Sequence, residues 1–378
     1  MCFRALIISV LLALMPLLAR GQEGAASFSI VRDKIVFPVS VNGAGPYPFV
    51  LDLGIKHPVL SRNTADALSL STTSQDQVTE PVVEVRELRL GEAASRPIQA
   101  LVMDLASFKT TLGTEVAGIL SLREIGEELR IDFAANTLAV RPHSEDGSIR
   151  TDTRSVRLRL DENNQPAVSA ILNGKHVRSF IVDTTFGGTL GMPEQALRDL
   201  GLVADATPRL AVEGLPAGGS DSLTLSEKMQ VRIESVRVGS AEIQGPVCTV
   251  LSSEEAPRIG IGFLRNFRAV LDFEGRLLRL EHTGALPIVA GPVIGCGLTP
   301  ARINEGYWTM WIAEDSPAAK AGIRSGEALI DVNGRDLKDA SYASVTRTLE
   351  TEEGETLSVT LVHEGERRTI AVTARRLL

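Results

Sequence analysis

The sequence predicts a mainly β protein: two repeated β-rich halves followed by a separate C-terminal module. Three observations carry this. "VNGAGPYPFVLDLG" (41–54) and "LNGKHVRSFIVDTT" (172–185) match, with Asn42-Gly43 over Asn173-Gly174, Phe49 over Phe180 and Asp52 over Asp183, each pair 131 residues apart. Alternating runs broken by Gly turns recur downstream in both copies, the pattern of strands joined by tight turns. A stretch rich in Gly, Pro and Ala, "HTGALPIVAGP" (282–292), separates the repeats from a segment with its own strand and helix signals. At 378 residues the chain needs two or three cores rather than one.

The chain opens on a secretory-signal pattern: Arg4, an apolar run from Ala5 to Ala19, then Ala19-Arg20-Gly21 as a small-x-small cleavage site leaving Gln22 as the new terminus. The run has 15 residues, short for a bilayer span of about 20. An uncleaved anchor is the less favoured alternative. No later stretch is long and apolar enough to span, so the mature chain is expected in the periplasm or outside the cell. The net charge of −8 without a basic stripe argues against nucleic acid or an anionic membrane surface as partner. Cys248 and Cys296, the cysteines beyond the signal, are expected as buried free thiols rather than a pair.

In each half an apolar strand ("IVFPVSV", "QPAVSAI") leads into an Asn-Gly hairpin turn and a second strand that ends in aspartate. A helix-like run follows, "SRNTADALSL" or "PEQALRDLGL", with Ser61 and Pro193 as start residues. Next come "VEVRELRLGEAASRPIQALVMD" (83–104) and "VRIESVRVGSAEIQGPVCTVL" (231–251), each a strand, a Gly turn and a strand. The halves close with "GILSLREIGEELRIDFAANTLAV" (118–140) and "GIGFLRNFRAVLDFEGRLLRL" (260–280), each read as a strand-turn and then a hairpin, around Ala135-Asn136 and Glu274-Gly275.

A carboxylate at the end of a buried strand is costly to desolvate unless it is hydrogen-bonded or functional. Two homologous halves related by a pseudo-twofold axis would bring Asp52 and Asp183 side by side. Close carboxylates share a proton, so that one acts as a base toward water and the other as an acid toward a carbonyl oxygen.

On these residues, 28–283 resemble the pepsin/retropepsin superfamily of aspartic peptidases, in an exported form with two retropepsin-like β-barrel lobes in one chain. The resemblance implies that Asp52 and Asp183 are catalytic, acting on a polypeptide without a cofactor. It also implies an Asp-Thr-Gly or Asp-Ser-Gly loop in each lobe, with the hydroxyl reaching the opposite loop. Neither loop fits fully: Asp52-Leu53-Gly54 lacks the hydroxyl, and Asp183-Thr184-Thr185 lacks the glycine. Leu53 removes one cross-lobe hydrogen bond, worth about 1 kcal/mol net. Thr185 puts a β-branched side chain where the backbone is expected to need room or an unusual φ, strain that Phe186-Gly187-Gly188 could absorb. Three readings stay open: a working peptidase with loosened geometry, an inactive descendant that binds peptide in the same cleft, and aspartates that only cap their loops through backbone N–H groups.

Beyond the break, Ser316 reads as an N-cap, Pro317 as a first helical residue, Ala318 to Ala321 as helix and Gly322 as its stop. "EALIDV" is a strand closed by Asn333-Gly334. "ASYASVTRTLE" (340–350) is an amphipathic helix with Tyr342, Val345 and Leu349 on one face, and a hairpin turns near Glu364-Gly365. This order is similar to a bacterial-type PDZ domain. That likeness implies binding of a peptide C-terminus by strand addition, with Gly295, Cys296, Gly297 and Leu298 as carboxylate loop and Ser341, Val345 and Leu349 as groove wall. A linker turn at 295–298 and a core role for the apolar helix positions are the alternatives. The expected division is signal peptide 1–21, peptidase-like lobes 22–148 and 149–283, linker 284–292 and PDZ domain 293–378.

No Gly-x-Ser-x-Gly nucleophile loop, His-Glu-x-x-His, paired cysteine ligands, P-loop or dinucleotide fingerprint occurs. No metal is expected. His57, close to Asp52 in sequence, is read as a solvated loop residue.

Overall fold

The computed structural model describes residues 25–75, 78–141, 155–161, 165–214, 226–282 and 284–378. The signal-like segment 1–21 and the expected lobe boundary at 148/149 lie outside the described residues. The protein is mainly β, arranged in several sheets.

Both Asn-Gly turns form. Asn42-Gly43 joins Lys34–Val41 to Ala44–Leu51, and Asn173-Gly174 joins Pro166–Leu172 to Lys175–Val182; all four turn residues have positive φ, as a type I′ turn requires. The asparagines also tie each hairpin to the next strand. Asn42 Oδ1 accepts the N–H of Arg86 and Glu87, and Asn173 Oδ1 accepts that of Ser235. The Phe49–Leu51 and Phe180–Val182 ends of the second strands are buried. Each runs parallel to a strand arriving from further along the chain, Gly118–Leu120 or Arg258–Ile259. Asp52 N–H donates to Leu120 O at 3.1 Å and Asp183 N–H to Ile259 O at 2.9 Å, so both aspartates hang from equivalent places.

Ser61 caps the helix Arg62–Ala67 through the Thr64 N–H, and Pro193 immediately precedes the helix Glu194–Asp199. Two local readings need correction. "GIGFL" is not a strand-turn like "GILSL": the strand stops at Ile259 and Ile261–Leu264 is a short helix. Its first amides turn inward, Ile261 N–H to Phe186 O and Gly262 N–H to Gly187 O, and docking on the second Asp loop overrides the strand pattern. The break at 282–292 is not wholly linker, because Ile288–Val289 adds in parallel to Ala241–Gln244 and Ile288 packs on the core. The helix Ala106–Leu112 has no counterpart in the sequence reading.

A six-stranded sheet joins the halves. Glu128–Asp132 pairs antiparallel with Arg268–Asp272, with Arg130 opposite Val270. The repeated "IDF" and "LDF" segments are 140 positions apart (131 and 271), and so are 130 and 270. Arg130 therefore pairs with its own repeat mate, which puts a pseudo-twofold axis through this contact. One apolar core runs through both halves.

Residues 296–374 carry a second core around Trp308, Met310, Leu329, Val345 and Leu357. Its sheet runs in the order Leu298–Asn304, Tyr307–Ile312, Ala328–Val332, Thr356–His363, Glu366–Thr373, with Leu298–Asn304 at an edge. Ser316 caps Pro317–Lys320 and Ser341 caps Tyr342–Leu349.

Candidate functional site

The two Asp loops meet through one side chain. Thr184 Oγ1 donates to Leu51 O at 3.1 Å and accepts the Leu53 N–H at 3.3 Å. Thr184 is the repeat mate of Leu53, 131 positions on, so half of a symmetric cross-link is present. Leu53 fills the other place with a fully buried apolar side chain, and its carbonyl accepts from Arg123 at 3.0 Å.

Asp52 and Asp183 are both buried, 4% and 7% exposed. Asp52 Oδ1 accepts the Gly54 N–H at 2.8 Å. Gly54 sits close to both halves: a Cβ there would lie 2.7 Å from Gln165 Nε2, which would have to move aside, and 3.2 Å from Asp52 Oδ1. Asp183 Oδ1 accepts two bonds from Thr185, the N–H at 2.8 Å and Oγ1 at 2.7 Å. The strain expected at Thr185 is not found, since its φ is not positive. Its β-branched side chain turns onto the carboxylate and adds a bond that glycine cannot make. Gly187 does not relieve strain at Thr185 either. It admits Asp33, whose side chain would lie 2.3 Å from a Cβ at 187.

Two cations missed in the sequence complete the site. Arg258 Nη1 donates to Asp183 Oδ2 at 2.8 Å, and both side chains are buried. Lys34 is 2% exposed and donates through Nζ to Thr185 O. Burial pulls the Lys34 ammonium below its usual range, opposed by the charges of Asp183, Asp52 and Asp33 in that order. Extending the repeat alignment back eight residues from Asn-Gly would have marked Lys34 as the mate of Gln165, and a lysine opening a buried strand is itself a signal. Arg258 gave no local signal, because its reach to Asp183 depends on the parallel register of two strands far apart in sequence.

His57 is exposed. A cavity of about 110 Å³ opens between the second Asp loop and the C-terminal unit, lined among others by Lys34, Thr185, Gly187, Gln230, Thr299 and Tyr342.

Gly295 ends a two-residue strand paired with Arg375–Arg376, and Cys296 and Gly297 turn the chain into Leu298–Asn304: Cys296 O accepts the N–H of Ala318 in the next helix and Gly297 O that of Ala313. Gly297 has φ of 80°, and a Cβ there would collide with Ser316. Cys296 is buried, and Leu298 begins the edge strand. Of the expected groove wall, Ser341 caps the helix through the Ser344 N–H and stays exposed, while Val345 is fully buried in the core. Tyr342 does face the cavity. Cys248 and Cys296 are free buried thiols.

Residues 37–123 match a family model described as aspartyl protease, a span that contains the first Asp loop. The multiple PDZ domain protein of Mus musculus is 34% identical over 65 residues, covering 17% of this chain and 3% of that protein. The human multiple PDZ domain protein is 32% identical over the same length and shares. The chain thus spans about 3% of the length of these curated relatives. A solved photosystem II D1 C-terminal processing protease is similar at 28% identity, over 23% of this chain and 24% of that one, with a TM-score of 0.22. Among the described residues no helix is long and apolar enough to cross a membrane.

Proposed function

We propose that the chain is an exported aspartic-type endopeptidase acting on polypeptide, with Asp52 and Asp183 as its catalytic pair. Residues 22–148 and 149–283 would be its lobes and 293–378 a PDZ-type module that engages the polypeptide. The observation that carries this reading is the Thr184 bridge to Leu51 and Leu53, which ties the two Asp loops together. In hydrolysis, one carboxylate takes a proton from water as the water oxygen bonds to the peptide carbonyl carbon. The other, protonated, delivers its proton to the carbonyl oxygen. Asp52 is the base in this scheme. Asp183 can serve as the acid once Oδ2 is released from Arg258, so the arrangement is a resting one.

The Arg258–Asp183 ion pair favours a second reading, a non-catalytic protein that binds polypeptide in the same cleft. Hydrolysis of fluorescein-labelled casein by the chain starting at Gln22 separates the two. Asp52→Asn and Asp183→Asn should each abolish cleavage. Cleavage that survives both changes, or that is absent from the parent chain and from Arg258→Met alike, sinks the peptidase reading and leaves the binding one.

A further inference from the structure

The hairpin formed by Ser29–Val31 and Lys34–Val41 touches three parts of the molecule with consecutive residues. Val31 pairs with Lys34, leaving Arg32 and Asp33 as the two central turn residues, with φ of 44° and 61°. Neither is glycine, and side chains resist left-handed backbone unless the surroundings hold it. Three contacts do so here. Arg32 donates its guanidinium to Pro300 O at 2.9 Å and to Ala301 O, and its Cζ lies 5.1 Å from the centre of the Tyr342 ring. Asp33 packs against Gly187 in the second Asp loop. Lys34 donates to Thr185 O.

The Arg32 contact falls on the edge strand of the C-terminal sheet, which the helix Ala106–Leu112 and the strand Arg209–Gly214 also approach. Met310 lies opposite Pro300 but gives its N–H to Glu327 O and takes that of Gly326, so Pro300 turns its backbone outward. Proline has no N–H to offer an incoming strand, and its outward carbonyl is taken by Arg32. The helix Tyr342–Leu349 runs beside the same strand. Arg32 thus lies in the groove where an extended segment would add to the sheet between strand and helix.

We propose that Arg32 is a built-in occupant of this groove, and that an extended polypeptide segment docking on Leu298–Asn304 must expel it and draw Lys34 away from Thr185 and the two carboxylates. The turn has only two central residues, both already in the backbone state that closes it, so the tip moves as a unit. Groove and Asp loop are then linked by a coupling that runs equally in both directions. Its consequence for hydrolysis rests on the peptidase reading; the coupling itself does not.

Amide hydrogen exchange on the chain from Gln22 tests this without a ligand. Arg32→Ala should speed exchange at least tenfold at 298–304 and also at 183–188, while 128–132 and 268–272 stay protected. By reciprocity, Lys34→Met should speed exchange at 298–304. An Arg32→Ala effect confined to 298–304, with 183–188 unchanged within twofold, overturns the proposal. Should Arg32→Ala also loosen 128–132, Arg32→Lys, which keeps charge and stem but not the planar fork, makes the same comparison. Casein hydrolysis read in parallel should rise at least fivefold in Arg32→Ala. Transmitted exchange without hydrolysis retains the coupling and removes the peptidase reading.

Discussion

Lys34 and Gln165 occupy the same position of the two repeats, and each lies against the Asp loop of the other half. Lys34 donates to Thr185 O, while the Gln165 amide borders Gly54. Both relations span the same interval, 34 to 165 and 54 to 185 being 131 positions each. The pseudo-twofold axis is therefore obeyed by the neighbours of the aspartates as well, but with an ammonium on one side and a neutral amide on the other. The site is symmetric in shape and asymmetric in charge.

That asymmetry has a pH signature. Burial lowers the Lys34 pKa below 10.5, so between its folded value and 10.5 the unfolded chain holds more protons than the folded one. The burial cost is present in full at lower pH and is relieved as pH rises through this window. Stability of the parent chain relative to Lys34→Met should accordingly climb as pH rises toward 10.5, by at most about 1.4 kcal/mol per pH unit. Urea unfolding of both chains across this range checks it; a flat or falling difference contradicts it.

Thr184 satisfies two buried backbone groups of the opposite half. Thr184→Val would leave Leu51 O and Leu53 N–H without it and should cost about 2–6 kcal/mol, at roughly 1–3 for each buried group left unmet. Thr184→Ser keeps the hydroxyl and should lose only about 1 kcal/mol for the buried methyl. Equal urea midpoints for the two variants would show that the bridge contributes little.

Arg258→Met strands a buried carboxylate, and breaking such a pair costs about 3–5 kcal/mol. Adding Asp183→Asn removes the stranded charge, so the double variant should recover part of that loss, a coupling of about 0.5–3 kcal/mol. Strict additivity in denaturant unfolding would mean that the ion pair is energetically silent.

Burial pushes the Cys248 thiol up to about 12 and the Cys296 thiol to about 11. The native chain from Gln22 should take up no iodoacetamide at pH 8, and two equivalents once unfolded in urea. Labelling in the native state, or a single equivalent after unfolding, would refute this.

Much of the architecture was legible in the sequence because it rests on local chemistry. Asn42-Gly43 and Asn173-Gly174 can close a type I′ turn, Ser61 and Ser316 can cap a helix, and a repeat of 131 residues demands two like halves. "GIGFL" was misread because Ile261 and Gly262 turn their amides to carbonyls of the distant second Asp loop, a contact that no periodicity records. Val345, placed on a groove wall by the PDZ likeness with a core role as the alternative, is a core position, because helical spacing does not tell a buried face from a lining one.

The sequence by itself determined the two aspartates, their repeated strand-turn setting and the loss of one hydroxyl at Leu53 and one glycine at Thr185. Only the tertiary structure decided what surrounds them: Arg258 on Asp183, Lys34 beneath both loops, Thr185 turned onto its carboxylate and Arg32 in the distant groove. Turns and caps are fixed by neighbours a few residues away. Thr185 reaches its carboxylate from two residues away, but Arg258, Lys34 and Arg32 reach partners 75 to 269 positions away, which only the packing of distant segments brings together.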